Sequence, residues 1–183
     1  MIWNEIICLG DSLTYGARDR FGRSFPTELS KILYDKTKEF YVCHNYGVNG
    51  HTSSDLQRRA WSHLSSHSGS RITTLLIGTN DTKGPMPLEI YTDNLKQIIM
   101  SCKANGQTVI LGTLPALNFS PYYIKNREYI AHYNKIIVKM ADEHDCILCD
   151  LSGLEEHLID GVHFTHEGNL EIANRFAKAI LNA

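Results

Sequence analysis

The chain has 183 residues, 43% hydrophobic and 21% charged, a balance that suits one compact globular domain with a sizeable core. Its formal net charge of −2, with basic and acidic side chains interspersed, gives no basic footprint for nucleic acid or an anionic membrane and directs attention to small-molecule partners. The start, Met1-Ile2-Trp3-Asn4-Glu5, has no positive region and its apolar stretch stops at Gly10, so neither a signal peptide nor a membrane span is expected, and a cytoplasmic location follows.

Along the chain, short apolar runs alternate with segments of helical period. Ile6-Ile7-Cys8-Leu9 reads as a first buried strand, followed by a helix with Phe25, Leu29, Ile32 and Leu33 on one face. Tyr41-Val42-Cys43 reads as a second strand, and Leu56, Ala60 and Leu64 mark the next helix before a loop at Ser65-Ser66-His67-Ser68-Gly69-Ser70. Thr74 to Ile77 is a third strand, followed by a helix carrying Tyr91, Leu95, Ile98, Ile99 and Cys102, with Gly106 as its terminating glycine. Val109-Ile110-Leu111 is a fourth strand; Tyr129, Tyr133, Ile136, Ile137 and Met140 then mark a helix, and Cys146-Ile147-Leu148 a fifth strand. The last helix starts at a Thr165 cap and turns Leu170, Ala173, Phe176, Ala177 and Ile180 toward the core.

Strict alternation implies right-handed crossovers and a five-stranded parallel sheet inside a three-layer α/β/α sandwich, with no internal domain boundary. The five cysteines, Cys8, Cys43, Cys102, Cys146 and Cys149, lie in apolar runs and read as reduced, buried thiols. In Cys146-x-x-Cys149 the strand spacing points the two thiols to opposite faces, which argues against a redox or zinc pair.

Open parallel sheets bind ligands beyond the carboxyl ends of their strands. There the sequence places Gly10-Asp11-Ser12-Leu13-Thr14, the segment Asn45 to Gly50, Gly78-Thr79-Asn80-Asp81, and the residues from Thr113 onward. Ser12 alone, in a strand-to-helix turn, is more often a capping serine than a nucleophile, so its role depends on finding a base. Asp160-Gly161-Val162-His163, in a turn before the final helix, supplies a carboxylate that can orient an imidazole, and the imidazole can take a serine proton and return it to a leaving alkoxide. The loop Gly47-Val48-Asn49-Gly50 offers a backbone N–H, and Asn80 a side-chain amide, to a developing oxyanion.

Gly10-Asp11-Ser12-Leu13, Gly50, Gly78-Thr79-Asn80-Asp81 and Asp160-Gly161-Val162-His163 occur in the order of the blocks of the GDSL/SGNH hydrolases, and from residue 10 to about residue 168 the chain resembles that family. The resemblance implies a flavodoxin-like fold, ester hydrolysis through an acyl-serine, and no cofactor. Position by position it implies Ser12 as nucleophile, Asp160 and His163 as its triad partners, and an oxyanion hole from the Ser12 N–H, Gly50 and Asn80, with Gly47 as the alternative donor. Thr79 stands where many members have Gly, and Phe164 where Pro or Leu follows the histidine, departures that bear on pocket shape. No G-x-S-x-G elbow is present, which separates the chain from α/β-hydrolases.

Asp11, His51, Thr79, Phe119, Tyr122 and Phe164 are candidate substrate contacts; Phe119, Tyr122 and Tyr123 fall in a long connection that could wall a pocket. Arg18, Arg20 and Arg23 read as a solvated loop and His157 as a surface position. His63 with His67, and His163 with His166, have spacings that metal ligands use, yet neither pair has a visible carboxylate or cysteine to complete it, so no metal site is expected. The expected partner is a small ester. Acyl transfer by the same triad, or a catalytically silent α/β binding module, are the rival readings; the module is disfavoured by the missing phosphate or dinucleotide fingerprint.

Overall fold

The computed structural model describes residues 4–84, 86–117 and 127–183. Five parallel strands form one sheet in the order β2-β1-β3-β4-β5: β1 (Asn4–Gly10), β2 (Tyr41–Gly47), β3 (Ile72–Leu76), β4 (Thr108–Gly112) and β5 (Ile147–Cys149). The chain moves outward from β1 to β2, then back past β1 to β3, so the crossover helices fall on both faces. One face carries α2 (Phe25–Thr37) and α6 (His166–Leu181), packed on each other. The other carries α3 (Ser53–Ser66), α4 (Leu88–Ala104) and α5 (Arg127–Glu143). This is the three-layer sandwich expected from the alternation, with a flavodoxin-like strand order.

The central strands explain why the apolar runs were legible. Ile6 to Leu9, Leu75 to Ile77 and Val109 to Leu111 are fully buried, because helices cover both faces of β1, β3 and β4. The edges behave differently. β2 is only half-buried over most of its length and runs to Gly47, well past the expected Cys43, because its outer residues (His44, Asn45, Tyr46) are polar or amphipathic. At the other edge Leu148 is exposed, contrary to a fully buried fifth strand, since β5 has a neighbour on one side alone.

Two helix expectations also shift. α3 continues through Ser66, so the serine-rich loop starts later than its composition suggests; Ser65 and Ser66 hydroxyls return to the Ser62 carbonyl. In α6, Leu170 faces solvent while Ile172, Ala173, Phe176 and Ala177 are buried, and Phe176 stacks on Phe25 of α2 at 5.0 Å. Asn169 rather than Leu170 holds the buried place in that turn, donating its side-chain amide to the Thr165 carbonyl.

All five cysteines are free. His63 and His67 are not bare surface histidines: His63 stacks on Tyr46 at 4.0 Å, and His67 lies beside His44 of β2 and Glu5 of β1. Sequence spacing could not show this meeting, because it arises from the pairing of β1 with β2 under the end of α3. Among the described residues, no helix is long and apolar enough to cross a membrane.

Candidate active site

At the end of β1 the chain enters a single helical turn, α1 (Ser12–Tyr15), too short to persist by itself and held by burial of Leu13 and Thr14. Asp11 caps the turn, its Oδ1 accepting the Leu13 N–H at 2.9 Å. Ser12 is the first residue of the turn, so its N–H has no partner within the helix. Asp11 itself is fully buried, with Oδ2 lacking a hydrogen bond among the described residues. Burial raises its carboxyl from 3.8 to about 7, against the pull of the Leu13 N–H and with a push from nearby Asp81. Asp11 therefore shapes the turn and presents no face to a ligand.

His163 arrives from the opposite end of the chain. The loop before α6 is closed by the Ile159 N–H to the His163 carbonyl at 2.8 Å and the Thr165 N–H to the His157 carbonyl at 2.8 Å. Buried Phe164 bridges back to Leu158 and packs over Gly168, so it supports this loop from inside. Within the turn Asp160 Oδ1 accepts the N–H groups of Val162 and His163, at 3.1 and 2.8 Å. Its Oδ2 lies 2.8 Å from His163 Nδ1, and His163 Nε2 lies 3.1 Å from Ser12 Oγ. Burial pushes the Asp160 carboxyl up, but the bonds from His163 and Val162 outweigh it and leave the group below the usual range. An ionised Asp160 favours the proton on Nδ1, which leaves Nε2 to accept from the Ser12 hydroxyl.

The two remaining loops are fastened to each other. Asp81 accepts the Ser53 N–H at 2.9 Å and the Ser53 hydroxyl at 2.5 Å, joining the loop after β3 to the start of α3. Asn80, in a 3-10 turn with Asp81 and Thr82, donates its side-chain amide to the His51 carbonyl at 2.9 Å. This carries Asn80 to the segment containing Gly50, whose φ of 79° explains the glycine. Neither the Gly50 N–H nor the Ser12 N–H has an acceptor among the described residues. Gly47 differs: its N–H is taken by Asn45 Oδ1 at 2.9 Å, and a Cβ there would meet the Tyr15 nitrogen at 2.1 Å. Gly47 lets the end of β2 pack on the serine turn and has no N–H to spare.

Ser12, His163, Asp160, Asn80 and Gly50 thus gather at the carboxyl end of the sheet, with His51 beside them. Thr79 does not join them, being buried at 1% exposure. Phe119 and Tyr122 lie outside the described residues. Arg59, unmarked by any motif, also reaches across from α3: its Nη2 donates to the Gly10 carbonyl at 2.9 Å and its Nε to His51 Nδ1 at 3.1 Å. Its neighbours one turn away in α3 are Asp55, Leu56, Ser62 and His63, so no local pattern in the sequence marks it. Arg18, Arg20 and Arg23 have exposed head groups, each within salt-bridge range of Asp160, Glu167 or Glu28, and Arg20 also covers the Phe21 ring. His166 faces Asp19 and Phe21 rather than a metal ligand set.

A hydroxyl, an imidazole and a carboxylate in relay, next to unengaged N–H donors, form a set able to generate an alkoxide and stabilise a tetrahedral oxyanion. The model of the GDSL-like lipase/acylhydrolase family matches residues 8–170. The chain belongs to that family. Its fold and family are those of an ester-hydrolysing enzyme. Among solved structures, this GDSL hydrolase is similar to an acetylxylan esterase from Geobacillus stearothermophilus, at 21% identity and a TM-score of 0.80 over 97% of this chain and 94% of that one. It is also similar to a lipolytic protein of the G-D-S-L family from Desulfitobacterium hafniense, at 17% identity and a TM-score of 0.77 over 96% of this chain and 99% of that one. No curated protein matches the GDSL hydrolase significantly in sequence.

Proposed function

We propose that this GDSL hydrolase cleaves a small oxyester, an acetyl or other short acyl ester of a carbohydrate, lipid or other alcohol, through an acyl-Ser12 intermediate. The observation that carries the reading is the relay from Ser12 Oγ to His163 Nε2 at 3.1 Å and from His163 Nδ1 to Asp160 Oδ2 at 2.8 Å. The catalytic mutants of the Geobacillus acetylxylan esterase support it, since they replace one serine, one histidine and one aspartate, the last two at the spacing of Asp160 and His163.

In the first step Ser12 Oγ attacks the acyl carbon as its proton passes to His163 Nε2, and Asp160 steadies the imidazolium. The oxyanion is met by the N–H groups of Ser12 and Gly50 and by the Asn80 amide, which has a second N–H beyond the one given to His51. His163 returns its proton to the departing alkoxide. It then removes a proton from water, whose oxygen attacks the acyl carbon; as that tetrahedral intermediate collapses, the bond to Ser12 Oγ breaks, His163 gives its proton back to Ser12 Oγ, and the acid is released.

The test is steady-state hydrolysis of p-nitrophenyl esters graded in acyl length. Activity concentrated on acetyl and butyryl esters, and reduced at least about 10⁴-fold in Ser12→Ala, is the expected result. Wild-type rates in Ser12→Ala, or activity confined to long acyl chains, would sink the proposal.

A further inference from the structure

At the opposite end of β1 from Ser12, three side chains from three elements converge: Glu5 of β1, His44 of β2, and His67 at the C-terminal cap of α3. Among the described residues this is the one group of three or more His, Cys, Asp or Glu side chains whose donor atoms all lie within 4.8 Å of one another. Glu5 Oε2 is 3.6 Å from His44 Nε2 and 3.4 Å from His67 Nδ1. Charge-assisted hydrogen bonds between such groups are normally about 2.7–2.9 Å. Ligands bonded to zinc at about 2.0–2.2 Å in a tetrahedron stand roughly 3.3–3.6 Å apart, close to the spacing seen here.

The surroundings agree with that comparison. His44 Nε2 is buried and has no hydrogen-bond partner among the described residues, so a polar atom aimed into the cluster is left unsatisfied. The His44 and His67 rings lie 3.9 Å apart. The far nitrogen of His67 is 2.6 Å from the Tyr46 hydroxyl, the outer contact that fixes ring orientation and tautomer in metal-binding histidines. His63, stacked on Tyr46, closes that side. The ligand side chains keep 20–34% exposure, enough for an ion to enter and for solvent to fill a fourth position.

We propose that Glu5, His44 and His67 form a binding site for a divalent transition-metal ion of the zinc class. The ion fastens the edge strand β2 and the end of α3 to β1. The proposal is independent of the ester-hydrolysis reading: Glu5 lies about 16 Å along β1 from Gly10, and His44, paired with Ile7, about 10 Å from that end of the strand. The ion takes no part in the chemistry there.

The experiment uses chelator-treated full-length protein titrated with ZnCl₂ by calorimetry and with CoCl₂ by absorbance. One Zn²⁺ per chain is expected, with a tetrahedral Co²⁺ spectrum. Saturating Zn²⁺ should raise the thermal midpoint by about 5–10 °C. Glu5→Gln and His67→Asn should each weaken binding at least about tenfold, and Tyr46→Phe, which keeps the stacked ring, about tenfold. Hydrolysis by metal-free Glu5→Gln should equal that of metal-free wild type, which also reports that the variant is folded. Absence of saturable binding at micromolar Zn²⁺, or binding in folded Glu5→Gln or His67→Asn as tight as in wild type, overturns the site.

Discussion

Asp11→Asn tests the electrostatics of the serine turn. The Asp11 carboxyl is fully buried, gives one oxygen to the Leu13 N–H and leaves the other unpartnered, and burial raises its pKa from 3.8 to about 7. Between those values the folded chain holds a proton that the unfolded chain has released, so unfolding free energy falls as pH rises, by about 1.4 kcal/mol per pH unit. The stability associated with the protonated form is therefore complete below about pH 4 and lost as pH passes through about 7. The full loss is on the order of 4 kcal/mol. Asparagine has the shape of the protonated acid, keeps the acceptor for Leu13 and cannot ionise. Wild type and variant should be nearly equal at the acid end, with the variant gaining about 3 kcal/mol relative to wild type between pH 5 and pH 8. Urea unfolding followed by circular dichroism across that interval reads the difference directly. A gap that does not change with pH, or a variant that loses ground as pH rises, would refute the assignment of a buried, raised carboxyl at Asp11.

The other predictions concern the relay and its supports. Asn80→Ala should lower kcat about a hundredfold on p-nitrophenyl acetate while the protein remains folded, since one oxyanion donor contributes roughly 3 kcal/mol. Asp160→Asn should lower kcat by about 10⁴, because the imidazole loses the partner that fixes its tautomer, and stopped assays at saturating ester measure it. Arg59→Lys keeps the charge but cannot hold both the Gly10 carbonyl and His51; kcat should drop at least about tenfold, as expected when a loop is displaced from productive geometry. Phe176→Ala, which removes the ring stacked on Phe25 between α2 and α6, should cost about 3–5 kcal/mol in chemical unfolding and leave KM unchanged.

What the sequence reveals depends on where a residue lies in the sheet. Ile6 to Leu9 and Val109 to Leu111 are buried on both faces, so an unbroken apolar run identifies them as strands. His44 and Asn45 lie on an edge, where alternate positions meet solvent, and the second half of β2 is therefore invisible to hydropathy. Leu170 misleads for a related reason: the period marks a face, but Asn169 takes the buried place beside Thr165. At the candidate site, the meeting of Ser12, Asp160 and His163 is legible in sequence because each sits in a short local motif whose turn chemistry is written in neighbouring residues. The Asp81–Ser53 tie, the Arg59 reach to Gly10 and the meeting of Glu5 with His44 and His67 join residues distant in the chain. Contacts of that kind follow from strand order and crossover geometry, which composition and period do not encode.

Ser12 as the acylated residue is the claim on which the functional account rests, and intact mass spectrometry after treatment with a fluorophosphonate tests it most directly. One adduct per chain, mapped to Ser12, absent from Ser12→Ala and formed far more slowly in His163→Ala, is the predicted result. An adduct on another residue, or equal labelling of Ser12→Ala, would contradict it.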